Sequence, residues 1–256
     1  MNYGIAQLSI TPMRAEKNDR SELISQLLFG EHFKVLEIQK NWSKIRLAHD
    51  GYEGWIDNKQ YVELSEMEYT QLEQNPSALS GNLLDYISDR SHELATIPLG
   101  ASLPFFKDQE LKIGDTYYRY DGDVVSGKKG KEALISTAFM YLNAPYLWGG
   151  RTPFGIDCSG FSQMVYRLNG YAIQRDAYQQ ALQGEVLSFI EESEVGDLAF
   201  FDNEEGKIIH VGIIMKDNYI IHAHGKVRID RLDHTGIFNI DTKRHTHKLR
   251  VIKKII

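Results

Sequence analysis

The chain of 256 residues has a single cysteine, Cys158, so no intrachain disulfide can form and the small disulfide-stapled scaffolds are excluded. Apolar runs are short, and none approaches the roughly eighteen residues that a membrane-spanning helix needs. The N-terminus, Met1-Asn2-Tyr3-Gly4-Ile5-Ala6-Gln7-Leu8, has neither a basic opening nor an apolar segment behind it. No signal peptide is visible, and a cytoplasmic chain is expected. Charge of one sign is not concentrated either. The net charge of −6 is spread along the chain, so neither nucleic acid nor an anionic membrane is an expected partner. What remains, with 42% hydrophobic and 25% charged residues, is an ordinary globular composition, long enough for one large or two to three small domains.

The pattern along the chain changes twice. Up to residue 65, short alternating runs such as Glu31 to Ile38 and Trp42 to Leu47, with a turn at Asp50-Gly51 before Tyr52 to Ile56, predict a small antiparallel barrel. Ser65 to Gln74 is polar with scattered apolar positions and stops at Asn75-Pro76, as a short connecting helix would. Residues 66–124 then hold that helix and a second β-rich stretch. Pro98 to Pro104 is turn-like and Thr116 to Tyr120 alternates into Asp121-Gly122, so this stretch reads as a degenerate copy of the first barrel. From 125 to 256 the order is helices first and strands afterwards. Ala133, Leu134, Thr137, Ala138, Tyr141 and Leu142 fall at helical spacing, a second helix starts at Cys158, and strands follow over 197–201, 208–215, 219–224 and 227–231. The fold class expected is α+β.

Cys158 sits in Gly155-Ile156-Asp157-Cys158-Ser159-Gly160-Phe161, at the start of the predicted helix. A helix N-terminus and a nearby imidazole both favour thiolate over thiol, which suits a nucleophile, although a lone cysteine also serves as a small buried hydrophobe. His210 lies in the apolar run Ile208 to Ile214, and the next strand, Tyr219 to Gly225, carries His222 and His224. A nucleophile, a base and a group that orients the base form the general pattern of covalent catalysis. Cys158 would attack, His210 would hold the thiol proton, and a histidine of the next strand would accept a hydrogen bond from the far nitrogen of His210. His222 and His224 share one strand face, so alternation alone leaves both open. Zinc is the competing use of one cysteine and two histidines. The spacing has no CxxC or HxxxH pair and no fourth ligand, so no metal and no cofactor are expected. His245-Thr246-His247, in a charged stretch, reads as a solvated strand edge.

These motifs carry a resemblance. Trp148-Gly149-Gly150, the Gly155 to Phe161 run, Arg175-Asp176-Ala177 with Gln179-Gln180, Val195 to Phe201, His210-Val211-Gly212-Ile213 and Ile221-His222-Ala223 resemble, in order, the active-site motifs of the NlpC/P60 cysteine peptidases. The resemblance spans residues 125 to 256 and implies a papain-like catalytic domain with Cys158 as nucleophile, His210 as base and His222 as third member. It further implies substrate contacts from Trp148, Asp157 and Ser159; Asp157 also reads as a helix N-cap, and Trp148 as core packing. Arg175 and Asp176 read as a structural ion pair, or Asp176 as a cap of the helix after it. Where relatives carry serine after the Arg-Asp pair, this chain has Ala177. Residues 1–65 resemble a bacterial SH3 domain through Ser21-Glu22-Leu23, Gln26 to Glu31 and Asp50 to Trp55. That combination is similar to the γ-D-glutamyl-L-diamino-acid endopeptidases, or dipeptidyl-peptidase VI type. In these the first SH3 domain caps the active site and a carboxylate and a tyrosine hold the substrate's amine. By position these are Glu22 and Tyr52, with Glu53 or Glu31 as alternatives to Glu22.

The resemblance thus implies two small SH3-like barrels before the catalytic domain, and a monomer that cleaves free murein peptides, L-Ala-γ-D-Glu followed by a diamino acid, releasing L-Ala-D-Glu in cell-wall recycling. Two competing readings are a non-catalytic wall-binding protein and an exported endopeptidase acting on intact peptidoglycan. An intact Cys158, His210 and His222 set opposes the first.

Overall fold

The computed structural model describes residues 2–256, and the chain divides into two compact units. One consists of the chain up to Ser126 together with Trp148–Thr152; the other consists of Gly127–Leu147 and Pro153–Ile256.

The first unit opens with seven strands: β1 (Asn2–Ala6), β2 (Ile10–Arg14), β3 (Leu23–Leu28), β4 (His32–Ile38), β5 (Trp42–Leu47), β6 (Glu53–Asp57) and β7 (Tyr61–Leu64). They form one antiparallel sheet in the order β3-β2-β6-β5-β4-β1-β7. The alternation expected from the sequence is visible as burial: in β5, Ser43, Ile45 and Leu47 point inward while Lys44 and Arg46 do not. Phe33, Val35, Ile45, Leu47 and Ile56 close a core with Ala6, Met13 and Leu27. Gly54 is required by packing, because a Cβ there would lie 2.4 Å from the Met13 side chain. The Asp50-Gly51 turn is present, with Gly51 at φ 73° and the Asp50 side chain accepting from the Tyr52 amide at 2.9 Å.

Helix α1 (Glu66–Gln74) starts with a capping box in which Ser65 and Glu68 satisfy each other's backbone amides. It buries Tyr69 and Leu72, and Tyr69 stacks on Tyr3 at 4.3 Å between ring centroids. Seven further short strands follow: β8 (Ala78–Ser80), β9 (Leu84–Asp89), β10 (Leu94–Pro98), β11 (Ser102–Leu103), β12 (Glu110–Ile113), β13 (Thr116–Arg119) and β14 (Val124–Val125). They form sheets in the orders β10-β9-β13-β12 and β11-β8-β14. A single apolar cluster joins Tyr3, Ile5 and Phe29 of the first region to α1 and to Ile87, Ile97, Leu103, Leu111 and Tyr120 of the second. The two SH3-like regions therefore share a core.

Trp148–Thr152, ending in the short strand β15 (Arg151–Thr152), is anchored in this unit by a fully buried arginine. Arg151 donates from Nη1 to Glu31 Oε2 (2.8 Å) and from Nη2 to Glu31 Oε1 (3.0 Å), and Nη1 also reaches the Gln26 carbonyl (2.7 Å). The Arg151 amide donates to Gln26 Oε1 at 2.8 Å. Glu31 is itself buried and accepts from the Leu28 amide.

The second unit carries helix α2 (Lys131–Met140), the short strand β16 (Gly155–Ile156), helix α3 (Cys158–Arg167), the single turn α4 (Ala177–Gln180) and strands β17 (Glu185–Leu187), β18 (Leu198–Asp202), β19 (Ile208–Ile214), β20 (Tyr219–His224), β21 (Lys226–Leu232), β22 (Gly236–Asn239) and β23 (Arg244–Lys254). The sheet order is β17-β23-β18-β19-β20-β21-β22, and a further β22–β23 pairing closes six of the strands into a barrel. Helix α3 packs on β19 and β20, with Phe161, Met164 and Val165 fully buried. The α+β order, helices before the sheet, is that expected from the sequence. The charged stretch around His245 is different. It lies in β23, which pairs with β17, β18 and β22, because an eleven-residue strand long enough to bridge both ends of the sheet sits inside it and not at its edge.

Removing one partner of a buried ion pair strands the other charge. Arg151→Ala is expected to destabilise the first unit by about 3–5 kcal/mol, and the double change Arg151→Met with Glu31→Leu to recover most of that. Urea unfolding of the three chains checks this, and a single variant as stable as the parent would contradict it.

Candidate active site

Cys158 is the first residue of α3 and is buried. Asp157 is the N-cap: its Oδ1 accepts from the Gly160 amide at 2.6 Å, satisfying one of the unpaired donors at the helix start. The same carboxylate receives the buried Arg175, from Nη2 to Oδ2 at 2.7 Å and from Nη1 to Oδ1 at 3.0 Å. Arg175 Nη1 also donates to Ser159 Oγ at 3.0 Å. Arg175 thus pairs with Asp157, while Asp176 caps α4 through a capping box with Gln179. Asp157 and Ser159 are held in a fixed frame on either side of the thiol.

The thiol is not ionised in this setting. Burial pushes Cys158 up to about 12 and the Asp157 charge acts in the same direction. The Val211 amide, the Arg175 guanidinium and the Ser159 amide oppose them without prevailing. Desolvation of the sulfur works against the helix terminus here and outweighs it.

The base lies in β19. Nε2 of His210 is 2.8 Å from Nδ1 of His222, and Nε2 of His222 is 3.0 Å from Oδ2 of Asp230. The ladder explains the meeting. Ile213 is opposite Ile221 and Ile214 opposite Ile220, so the next inward pair is Gly212 with His222, and His210 is diagonal to His222. A Cβ at residue 212 would come within 2.9 Å of the His222 Cβ and 2.7 Å of Ile220, so only glycine admits the imidazole here. In β21, Arg228 is directly opposite His222, and Asp230 is two residues further on the same face. His224 is exposed at the end of its strand, with its ring 6.5 Å from that of His210.

Asp230, Arg228 and Tyr146 stand outside every motif of the sequence, and His247 reads there only as part of a strand edge. Asp230 is fully buried, accepts from Arg228 and the Ile240 amide as well as lying against His222, and is held down to about 2, the donors outweighing burial. Arg228-Ile229-Asp230, alternating in a strand paired with the one carrying His222, was the signal available in the sequence. His247 stacks on His210 at 4.2 Å and 23°. Tyr146 lies close enough for ionised Cys158 and Asp157 to raise its phenol, burial being the larger cause, so its hydroxyl stays protonated.

Burial drives His210 well below 6.5, aided by His222, His247 and His224. His222 is also lowered, burial outweighing Asp230, and His247 is pushed down to about 4. The resting site therefore holds a neutral thiol and neutral imidazoles. Among the described residues no group of three or more His, Cys, Asp or Glu is arranged to hold a metal ion.

The other expected contact residues belong to the first unit. Trp148 Nε1–H donates to Glu22 Oε1 at 2.7 Å, and the residue is 59% exposed. Tyr52 packs half-buried against the core of the first sheet.

The model of the NlpC/P60 family matches residues 143–245, and that of the bacterial dipeptidyl-peptidase Sh3 domain matches residues 13–60. The gamma-D-glutamyl-L-lysine dipeptidyl-peptidase of Bacillus subtilis (strain 168) is 34% identical over 213 residues, 78% of this chain and 71% of that protein. Dipeptidyl-peptidase 6 of Lysinibacillus sphaericus is 26% identical over 247 residues, 86% of this chain and 88% of its own. An NlpC/P60 family protein from Bacillus cereus shares the fold, with a TM-score of 0.83, 20% identity and 99% of both chains covered.

Histidines held neutral by burial bind protons more weakly in the folded than in the unfolded chain. Between the folded value and 6.5 the unfolded chain carries more protons, so stability falls as pH drops through that window and levels off below it. For His247 the window runs from 6.5 to about 4, and His210 and His222 act with the same sign. Each group contributes up to about 1.4 kcal/mol per pH unit inside its window. Thermal unfolding at pH 7 and pH 5 should show a lower midpoint at pH 5, and a smaller drop in His247→Gln. A midpoint independent of pH over this range would refute the neutral cluster.

Proposed function

Because the chain belongs to the NlpC/P60 family of cysteine peptidases, we propose that it hydrolyses the γ-D-glutamyl–L-diamino acid bond of free murein peptides that begin with L-Ala, releasing L-Ala-D-Glu in the recycling of cell-wall peptides. The relatives named as gamma-D-glutamyl-L-lysine dipeptidyl-peptidases support this choice of bond. The observation that carries the chemistry is a buried thiol at the start of α3, beside the strand whose imidazole is backed by a second one.

In this reading the neutral His210 takes the Cys158 proton as the sulfur attacks the side-chain carbonyl of D-Glu. Desolvation of the thiol raises the cost of forming a free thiolate, so proton transfer and attack are coupled. The oxyanion of the tetrahedral intermediate is met by the Cys158 amide at the helix start and by the protonated Tyr146 hydroxyl. His210 then gives its proton to the departing amine, leaving a thioester. Water, losing a proton to His210, releases L-Ala-D-Glu, and the proton returns to sulfur.

Glu22 takes the role of the carboxylate that receives the substrate's free amine. One of its oxygens is held by Trp148 Nε1–H, which orients the other for an ammonium. Recycling also entails a cytoplasmic enzyme, and fractionation of cells expressing the chain tests that part.

Mass spectrometry of products from L-Ala-γ-D-Glu-diaminopimelate tests the reaction: wild type should yield L-Ala-D-Glu and free diaminopimelate, and Cys158→Ala neither. Turnover of intact sacculi in preference to the tripeptide would point to the exported endopeptidase instead. Glu22→Gln should weaken binding of the free peptide by about 1.5–3 kcal/mol, the range for a hydrogen bond to a charged group. The N-acetylated peptide should be a poor substrate of wild type, and equal turnover of both peptides would sink the amine-capture role.

A further inference from the structure

We infer that Asp230 is a positioning residue that sets the tautomers of both buried histidines and thereby leaves the lone pair of His210 Nδ1 free for the Cys158 thiol. The inference deepens the peptidase reading and rests on it for its kinetic consequence.

The argument is a donor and acceptor balance. Oδ2 of Asp230 accepts from Arg228 Nε at 2.7 Å and faces His222 Nε2 at 3.0 Å. Oδ1 accepts from Arg228 Nη2 at 2.9 Å and from the Ile240 amide at 3.0 Å. Guanidinium and amide are donors only, so three of the four acceptor positions of the carboxylate meet fixed donors. An ionised carboxylate has no proton to give to the fourth neighbour. His222 Nε2 must therefore be the protonated nitrogen, and neutral His222 presents a lone pair at Nδ1. That lone pair, 2.8 Å from His210 Nε2, requires a proton on the latter. Neutral His210 then has its lone pair at Nδ1. A chain of two imidazoles transmits the choice made at Asp230 across the barrel.

The groups around the pair do not compete for this role. His247 meets His210 ring on ring, His224 approaches edgewise at the strand end, and Arg228 turns its remaining capacity to Asp241 at 2.9 Å.

Asp230→Asn separates this from a merely structural part. Its amide nitrogen placed at the Oδ1 position would face two donors, Arg228 Nη2 and the Ile240 amide. At the Oδ2 position it faces one donor, Arg228 Nε, and finds an acceptor only if His222 Nε2 gives up its proton. The second arrangement is favoured, and it reverses both tautomers, so that His210 presents N–H to the sulfur. A carboxylate-to-amide change that forces the wrong tautomer in a serine protease triad lowers kcat about 10⁴-fold. Here a loss of kcat of about 10²-fold or more with KM within a few-fold is expected. Nitrogen NMR of histidine-labelled protein should show His222 protonated at Nε2 in wild type and at Nδ1 in Asp230→Asn. Asp241→Asn, which removes a nearby exposed charge, should keep wild-type kcat and tautomers.

A folded Asp230→Asn with kcat within about threefold of wild type, or with unchanged histidine tautomers, overturns the inference. Should that variant not fold, the wild-type spectrum decides alone, because a proton on His222 Nδ1 contradicts it. The spectra need no substrate, so failure of wild type to cleave any murein peptide would count against the peptidase reading and leave the tautomer assignment to its own measurement.

Discussion

Two imidazoles buried side by side can share a hydrogen bond only if one gives and the other takes, and nothing in the pair itself selects which. In this protein the selection comes from outside, through a carboxylate three of whose four acceptor positions are filled by a guanidinium and a backbone amide. Everything proposed for the thiol follows from that polarity. A histidine of the wrong tautomer would lie in the same place, make the same contacts and be unable to accept a proton. Placement of side chains is therefore only half of the site, and proton placement is the other half.

The electrostatics of the site favour neutral groups throughout. Sulfur and imidazoles are removed from water, which moves the thiol up and the histidines down. Charge is concentrated instead in two ion pairs that also do mechanical work: Asp157 with Arg175 caps α3 and holds Ser159, and Asp230 with Arg228 orients His222. Each pair has further hydrogen bonds beyond the salt link, which offsets the cost of taking charge into the interior. Neutral reacting groups in a low-dielectric surround make the first proton transfer coincide with attack, so the nucleophile is generated where substrate is present to receive it.

The segment before the cysteine has a structural logic of its own. Trp148–Thr152 follows α2 in the chain but packs with the barrels, through Arg151 on Glu31 and Gln26 and through Trp148 on Glu22. Gly149 at φ 76° would place a Cβ 2.4 Å from the Leu23 carbonyl, so this close approach also depends on glycine. A few residues near the nucleophile in sequence are thereby fixed by a different core from the one that fixes the nucleophile.

Much of this was legible without coordinates, for reasons that are local. Alternation located β4, β5 and β6, the polar stretch from Ser65 that stops at Asn75-Pro76 marked α1, and the Asp157 cap marked the start of α3. The motifs of the resemblance brought out Cys158, His210 and His222 in one reading. What local pattern could not supply was register and closure. His222 and His224 share parity, and only the tertiary structure hydrogen-bonds the first of them to His210 and leaves the second exposed at the strand end. His247 looked like a solvated edge because a charged strand usually is one, but closure of the barrel through β22 and β23 carried it onto His210. Asp230 carries no local mark, because its importance lies in what four donors do together, and they come from three residues that meet only when β20, β21 and the Ile240 turn are in place. The sequence by itself determined which groups of this protein can react, since residue chemistry and helix starts are written in short runs. The tertiary structure alone decided how their protons are arranged, because donor and acceptor balance is settled among strands that meet only when the barrel closes.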